Sequence, residues 1–456
     1  MQDLTTGSVT GHLLKTTSFM LVSMIFQTLY VLIDLFWMGR LGTDAIGAVG
    51  LAGNLSFVVI AITQVLGVGA TTLVSHASGR KDQQRAIFLF NQSQVLSMAA
   101  GLVFLAVAML FRHQYAAGQS ATEGMRIATE QFLLWFIPAM ALQFAMVAMG
   151  AALRGTGNFK PGMYVQTGTV VINMILAPFL IFGWGPFPEM GVSGAALATF
   201  IAITIGVAWI SVYFFDSKAY LRFHFADWTP QLRIWWDLLK IGLPAGAEFA
   251  LMGIYMAVIY SITKPFGAAA QGGFTIGLRI GQSVFLPVIA RGFAVAPVAG
   301  QNFAAPQGER VRQAFKAAAG MAAGSMLVAS IGIFFAAEPL MRVFTKDAEV
   351  IAVGVEYLHI VVLNFVASGV TFVSGSMFQA LGNTMPSLVT SGLRLVVAII
   401  PAFFLARVSG FHLTWVWYLS AFAVFLQMVL NLVLLQREFR LKLDGSAVVP
   451  IAVAGA

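Results

Sequence analysis

The chain carries twelve stretches of predominantly apolar residues, most of them 20 or more long, separated by short polar breaks. A helix rises about 1.5 Å per residue, so about 20 residues cross the roughly 30 Å hydrocarbon core of a bilayer. No water is present there to satisfy backbone N–H and C=O groups, so each crossing must be helical or part of a closed barrel. The runs lie near 15–38, 46–74, 88–111, 127–151, 161–183, 190–215, 237–263, 270–299, 314–336, 350–378, 386–407 and 412–435. They lack the alternation of barrel strands. The longest are expected to tilt or to extend beyond the hydrocarbon. Only 10% of the 456 residues are charged and the mean hydropathy is +0.85, against about 25% charged in a soluble domain. The expected fold is all-α: a polytopic membrane protein with twelve transmembrane helices in two pseudo-symmetric six-helix bundles.

The breaks divide this array. The longest polar stretch, Asp216 to Lys240, separates six runs from six. The expected domains are an N-terminal lobe over 1–222, an inter-lobe linker over 223–240, a C-terminal lobe over 241–444 and a tail over 445–456. If the N-terminus is cytoplasmic, 16 Lys and Arg residues, among them Lys81, Arg85, Lys160 and Arg310, fall inside, and 7, among them Arg40 and Lys346, fall outside. Positive residues favour the cytoplasmic side, which places both termini there. The net charge of +8 is scattered between apolar runs, with no basic cluster interleaved with aromatics, so no nucleic-acid partner is expected. The first residues, Met1 to Gly11, contain no Lys or Arg and do not resemble a signal peptide.

A repeat joins the halves at a shift of 225 residues. Gly42-Thr-Asp-Ala-Ile-Gly47 falls on Gly267-Ala-Ala-Ala-Gln-Gly272, Gly157-Asn-Phe-Lys-Pro161 on Gly382-Asn-Thr-Met-Pro386, and Arg85 on Arg310. Six crossings per copy give both copies the same orientation, a parallel repeat about an axis along the membrane normal. A working monomer follows naturally from such a duplication.

Ionisable groups inside these runs are the candidates for chemistry, because a charge in hydrocarbon is costly unless it faces a cavity or a partner. Asp34 stands in a run that is otherwise apolar from Leu29 to Met38. One reading is a cap or anchor near the helix end; the sharper one is a proton, cation or substrate site. Glu130 and Glu356 lie close to helix starts, where the dipole favours an acid. Glu248 follows Gly242-Leu-Pro-Ala-Gly246 and is either functional or one half of a buried pair with Arg279 or Arg291. The amides Gln27, Gln64, Gln143, Asn173, Gln282 and Asn364 either face a pathway or bond helix to helix. Tyr255 is a candidate pathway aromatic, and Tyr30 sits one turn before Asp34. Trp184, Trp235, Trp236, Trp415 and Trp417 fall near membrane boundaries and fit an aromatic belt. The chain has no cysteine, and its six histidines never cluster, so no metal site is expected. There is no Walker loop, dinucleotide fingerprint or zinc-protease motif, so the chain is expected not to be an enzyme and to need no organic cofactor.

Four stretches together resemble the MATE (multidrug and toxic compound extrusion) family: Asp34-Leu-Phe-Trp-Met-Gly-Arg-Leu-Gly42, Ala152-Leu-Arg-Gly-Thr-Gly-Asn-Phe-Lys-Pro161, Asn173-Met-Ile-Leu-Ala-Pro178 and Gly191-Val-Ser-Gly-Ala-Ala-Leu-Ala-Thr199. The resemblance covers about residues 8 to 440, and the first half is most similar to the DinF branch of prokaryotic members. It implies a secondary antiporter of the bacterial cytoplasmic membrane that exports lipophilic or cationic small molecules in exchange for protons or sodium. It implies that Asp34 is the first-helix coupling carboxylate, with Asn173 and Thr199 in the same network. Related members often carry Asp where this chain has Ala177, which removes a hard oxygen ligand and favours H+ over Na+ as the coupling ion. Another branch uses a seventh-helix Glu and a tenth-helix Asp. Glu248 lies one turn earlier than that Glu, and the tenth run has Asn364 but no Asp, so that sodium site is not carried over.

The leading expectation is a proton-coupled multidrug efflux antiporter working by alternating access. The alternatives are a sodium-coupled exporter of drugs or a metabolite, and a flippase for a lipid-linked intermediate. The topology is testable because the chain is free of cysteine. Lys346→Cys should react with a membrane-impermeant maleimide on intact cells, and Lys81→Cys only after permeabilisation. The opposite pattern would invert the assigned orientation.

Overall fold

The computed structural model describes residues 1–444 apart from 121, 406, 408 and 409, with the backbone alone at 31, 35 and 43; the expected tail over 445–456 lies outside the described residues. Fourteen α-helices follow one another: α1 Val9–Gly39, α2 Thr43–Gly79, α3 Gln83–Leu110, α4 Arg112–Gln119, α5 Glu123–Gly155, α6 Lys160–Phe182, α7 Gly191–Phe215, α8 Leu232–Thr263, α9 Gly267–Ala304, α10 Gly308–Phe344, α11 Ala348–Val361, α12 Phe365–Ala380, α13 Met385–Leu405 and α14 Leu413–Phe439. No strand occurs among the described residues. Eleven continuous helical stretches are long and apolar enough to cross a membrane. One of them, Leu232–Ala304, holds both α8 and α9 around the tight turn Lys264–Phe266, so the described residues hold twelve crossings. α4 is a short extra helix, and α11 and α12 are one crossing interrupted by a 3-10 turn at Val362–Asn364.

Local chemistry sets the ends. Asp82 accepts a hydrogen bond from the Arg85 N–H at the start of α3 (2.9 Å). Thr122 does the same for Met125 at α5 (3.0 Å), and Asp347 for Glu349 and Val350 at α11. Each satisfies donors that the first helical turn leaves free.

The helices sort into two compact units. One comprises Met1–Asp3 and Ser18–Gly246, the other Leu4–Thr17 and Ala247 onward. α8 begins at Leu232, inside the stretch expected to be linker, and its first half packs in the core of the first unit through Ile234, Leu238, Ile241 and Ala245. The segment before it is clamped by two fully buried amides of α3. Asn91 Oδ1 accepts from His224 N–H (3.1 Å) and Trp228 Nε1 (2.8 Å). Gln92 Nε2 donates to the carbonyls of Asp227 (2.6 Å) and Thr229 (2.8 Å), while its Oε1 accepts from Gln231 N–H (3.0 Å) and Trp235 Nε1 (3.1 Å). In the second unit a clamp from a different helix of the repeat, α9, holds the segment before α1. Gln301 Oε1 accepts from Leu4 N–H (3.1 Å), Asn302 Nδ2 donates to Leu4 O (3.0 Å), and Arg310 donates to Asn302 Oδ1 (2.8 Å) and Gly7 O (3.0 Å).

The repeat is conformational as well as sequential. Gly157 and Gly382 both adopt the left-handed conformation, with φ of 76° and 71°, which a side chain disfavours. The asparagine after each donates its N–H to a carbonyl five residues back at 3.0 Å. Each asparagine amide also reaches a residue 55 positions on: Asn158 to the Tyr213 hydroxyl (3.0 Å), Asn383 to Glu438 Oε1 (2.9 Å). Tyr213 and Glu438 are themselves 225 apart. The same turn thus terminates the same helix in both copies.

Trp417 is corrected by the structure. It is buried, stacked on Phe274 with centroids 5.1 Å apart, because α14 turns that face into its own unit; Trp415, two residues earlier, is exposed.

Close helix approach makes one stability prediction. A Cβ at Gly242 of α8 would overlap the Val65 carbonyl of α2, whereas one at Gly53 meets nothing within 4 Å. Gly242→Ala should lower the thermal unfolding midpoint of the detergent-purified protein, as overpacking by about 1–3 kcal/mol does. Gly53→Ala should leave it unchanged.

Candidate functional site

The candidate centre of the first unit is built by α1, α6 and α7. Asp34 and Tyr30 are four residues apart on α1, hence on one face. Asn173 of α6 and Thr199 of α7 are both buried. Asn173 Nδ2 donates to Thr199 Oγ1 at 3.0 Å, the Tyr30 hydroxyl lies 3.3 Å from the same oxygen, and Thr199 donates to the Ala195 carbonyl at 3.2 Å. With its proton committed to Ala195, Thr199 accepts from both Asn173 and Tyr30. A hydroxyl has one donor and two acceptor positions, so Thr199 is saturated.

Asp34 is the exception. Its carboxylate acts electrostatically on the Tyr30 hydroxyl, yet its buried Oδ1 has no hydrogen-bond partner among the described residues. The Thr199 hydroxyl, with its proton on the Ala195 carbonyl, has no donor left to give. Ala177 of α6, buried at the position where a second acid was considered, contributes only a methyl group. The structure thus brings together Tyr30, Asn173 and Thr199 by hydrogen bonds, with Asp34 beside Tyr30 and its Oδ1 unbonded among the described residues.

The remaining sequence candidates are dispersed. Gln143 lines a cavity of about 80 Å³ in the first unit together with Arg154, Asn158 and Gln166, and Asp34 does not line it. Gln64 is half-buried, and Gln27 and Gln282 are exposed. Glu248, in the second unit, stands near Ser387 of α13. It forms no ion pair with Arg279 or Arg291 among the described residues, and Arg291 donates instead to Ser325 at 2.6 Å. Glu130 pairs with Arg126 (2.6 Å) and His113 (3.2 Å), and Glu356 accepts from Thr414 (2.7 Å). Tyr255 and Asn364 do meet, at a cavity of about 30 Å³ in the second unit that Tyr357, Trp417 and Ser420 also line. The last three escaped sequence reasoning. The signal that points there is the repeat: Tyr255 stands 225 residues after Tyr30.

The MatE family profile matches residues 20–179 and again 244–404. The chain belongs to the MATE family. The two matches start 224 residues apart and end 225 apart, the interval of the repeat to within a residue, and each spans five crossings, α1 to α6 in one and α8 to α13 in the other. MATE relatives align over most of the chain. A probable multidrug resistance protein of Bacillus subtilis, YoeA, is 25% identical over 422 residues, 90% of each chain. An FAD transporter of Shewanella oneidensis is 25% identical over 374 residues, 82% of each. A MOP superfamily transporter from Pyrococcus furiosus, whose binding pocket is described as reversed in polarity, superimposes with a TM-score of 0.89 at 22% identity, covering 97% of this chain and 98% of that one. The fold is therefore that of a multi-pass MATE transporter.

The saturation of Thr199 has a measurable consequence. Thr199→Val removes the acceptor of Asn173 and Tyr30 and leaves a buried amide unpaired, which costs about 1–3 kcal/mol. The unfolding midpoint should fall by several degrees. Thr204→Val, one turn and a residue further along α7 at an exposed site, should change it little.

Proposed function

We propose that this MATE protein is a proton-coupled antiporter of the bacterial cytoplasmic membrane that exports lipophilic organic cations by alternating access. The observation that carries this reading is Asp34: a carboxylate in a membrane-crossing helix whose buried Oδ1 has no hydrogen-bond partner among the described residues. Such a group is retained against its desolvation penalty only when something transient occupies it. A proton and an organic cation are the two occupants that neutralise it, and they exclude one another. Exclusion at one carboxylate links the two affinities reciprocally, so proton entry on one side releases substrate there. The family resemblance of the Asp34 stretch to the DinF branch belongs to the same reading.

Proton is preferred to sodium on oxygen supply. A hard cation needs several oxygen ligands at once. Thr199 has both acceptor positions filled, and Ala177 offers none. Asp34 and Asn173 alone make a sparse cation shell but a sufficient proton site.

A second reading, a narrower and anionic metabolite substrate, is favoured by Arg279, Arg291 and Arg394, which lie in crossing helices of the second unit without carboxylate partners among the described residues. The FAD transporter among the relatives is a precedent for such a substrate in a protein of this similarity.

The test is transport of a fluorescent organic cation in proteoliposomes with the pH and sodium gradients imposed separately. An acid compartment opposite the dye should drive its movement in the absence of sodium. Asp34→Asn, folded and inserted, should reduce that movement to the level of protein-free vesicles. Movement driven by sodium and indifferent to pH would overturn the proton assignment.

A further inference from the structure

The repeat has kept a tyrosine in both halves and changed the charge around it. Tyr30 corresponds to Tyr255 at the 225-residue shift, but Asp34 corresponds to Ile259, and Arg394 stands where the first copy has Thr169. In the second unit the Tyr255 hydroxyl bonds Ser420 Oγ at 2.6 Å, and the Arg394 guanidinium lies over the Tyr255 ring, 5.2 Å from its centroid. Arg394 has one long contact, to Gln427 Oε1 at 3.4 Å, and no carboxylate partner among the described residues. Its charge also reaches Tyr357. The acid of one copy has thus been replaced by a cation near the same tyrosine in the other.

Beside Tyr255 is the cavity of about 30 Å³. Its wall is preorganised by rings that hold one another: Trp417 stacked on Phe274, and Tyr357 edge-on to Phe274 at 5.2 Å and to Trp417 at 5.0 Å. Trp417 is 3% exposed, and its Nε1–H has no hydrogen-bond partner among the described residues. An indole nitrogen only donates, and a buried donor without an acceptor is costly. Asn364, at the break between α11 and α12, and the Tyr357 hydroxyl also make no side-chain hydrogen bond among the described residues. No carboxylate lines the cavity. Unused donors, a neighbouring guanidinium and no acid call for an acceptor with negative charge. A single water needs about 10–15 Å³ on this measure, so the space takes two or three heavy atoms, the head of a molecule and not its ring system.

We propose that this cavity is the subsite for the carboxylate of an aromatic substrate. The carboxylate oxygens accept from Trp417 Nε1, Asn364 and Tyr357, and Arg394 supplies the balancing charge. The proposal rests on the reading of the chain as a small-molecule exporter and deepens it: the transported compounds include zwitterions, with an anionic end that the second unit recognises.

A matched dye pair tests it. Rhodamine 110 carries a free carboxylate, and rhodamine 123 is its methyl ester. In fluorescence-polarisation titrations of the purified full-length protein, the carboxylate dye should bind about tenfold more tightly or better, the range of hydrogen bonds to a charged group. Trp417→Phe, which keeps the ring and removes the donor, and Arg394→Gln should each abolish most of that preference, weakening the carboxylate dye more than the ester, whose carbonyl can still accept one hydrogen bond. Equal binding of the two dyes by the wild type, or an equal loss for both dyes in Trp417→Phe and in Arg394→Gln, would overturn the subsite. Proton-driven movement of the ester in vesicles is scored separately. If it fails while the carboxylate preference holds, the coupling reading falls and the subsite stands; if it succeeds without a preference, the reverse is true. Binding of neither dye would remove both.

Discussion

Hydrocarbon cannot hydrogen-bond to a peptide group, and the rest of this structure is arranged around that fact. Every backbone segment at membrane depth must satisfy itself, so the chain is helix joined by short capped turns. The same constraint gives the few polar side chains their weight. Asn91 and Gln92, fully buried, spend their amides on backbone groups of the segment entering α8. Gln301 and Asn302 do likewise for the segment entering α1. In both units the irregular backbone is docked onto a helix by amides that supply donors and acceptors where water is scarce. Asp34 Oδ1 and Trp417 Nε1 are among the buried polar atoms that find no such partner among the described residues, and each lies beside a repeat-related tyrosine.

Those two groups lie in copies of one motif. The tight turns, the left-handed glycines and the asparagines that follow them are shared between the copies because they end helices, a task that does not depend on cargo. The interior positions have diverged. Beside Tyr30 there is an acid; at the equivalent place beside Tyr255 there is Ile259, with Arg394 nearby. Duplication supplies two scaffolds of the same shape, and the charge near the shared tyrosine differs between them without altering the fold. In the proposed reading the N-terminal unit takes a proton or a cation and the C-terminal unit takes a carboxylate.

Much of this was legible in the sequence, for identifiable reasons. Run length against bilayer thickness gave twelve crossings. The 225-residue interval emerged from Gly157-Asn158 and Gly382-Asn383, since turns that need positive φ constrain residue type strongly. Tyr30 and Asp34 were paired by helical spacing. Asn173 and Thr199, which sit on other helices, were connected to them only through the family resemblance, because spacing within one helix says nothing about which faces of three helices converge. Gln27 and Gln282 looked equivalent to Gln143 and Asn364, yet the first two are exposed and the last two line cavities. A crossing that is apolar on all sides carries no stripe to mark its inner face. Trp417 failed for the same reason: its place near a run boundary suggested a membrane interface, and only packing against Phe274 turned it inward.

The sequence by itself determined that this chain is a duplicated, twelve-crossing, all-helical membrane protein with one conspicuous carboxylate in its first helix. Composition, run length and turn chemistry are local quantities, and local physics reads them. Tertiary structure alone decided which polar groups are spent and which remain free. Thr199 is exhausted by Asn173, Tyr30 and Ala195, Glu248 stands near Ser387, and Asp34 Oδ1 and Trp417 Nε1 are left without partners among the described residues. Hydrogen-bond capacity is consumed by neighbours distant in sequence, so the difference between a structural polar residue and an available one exists only once the helices are packed.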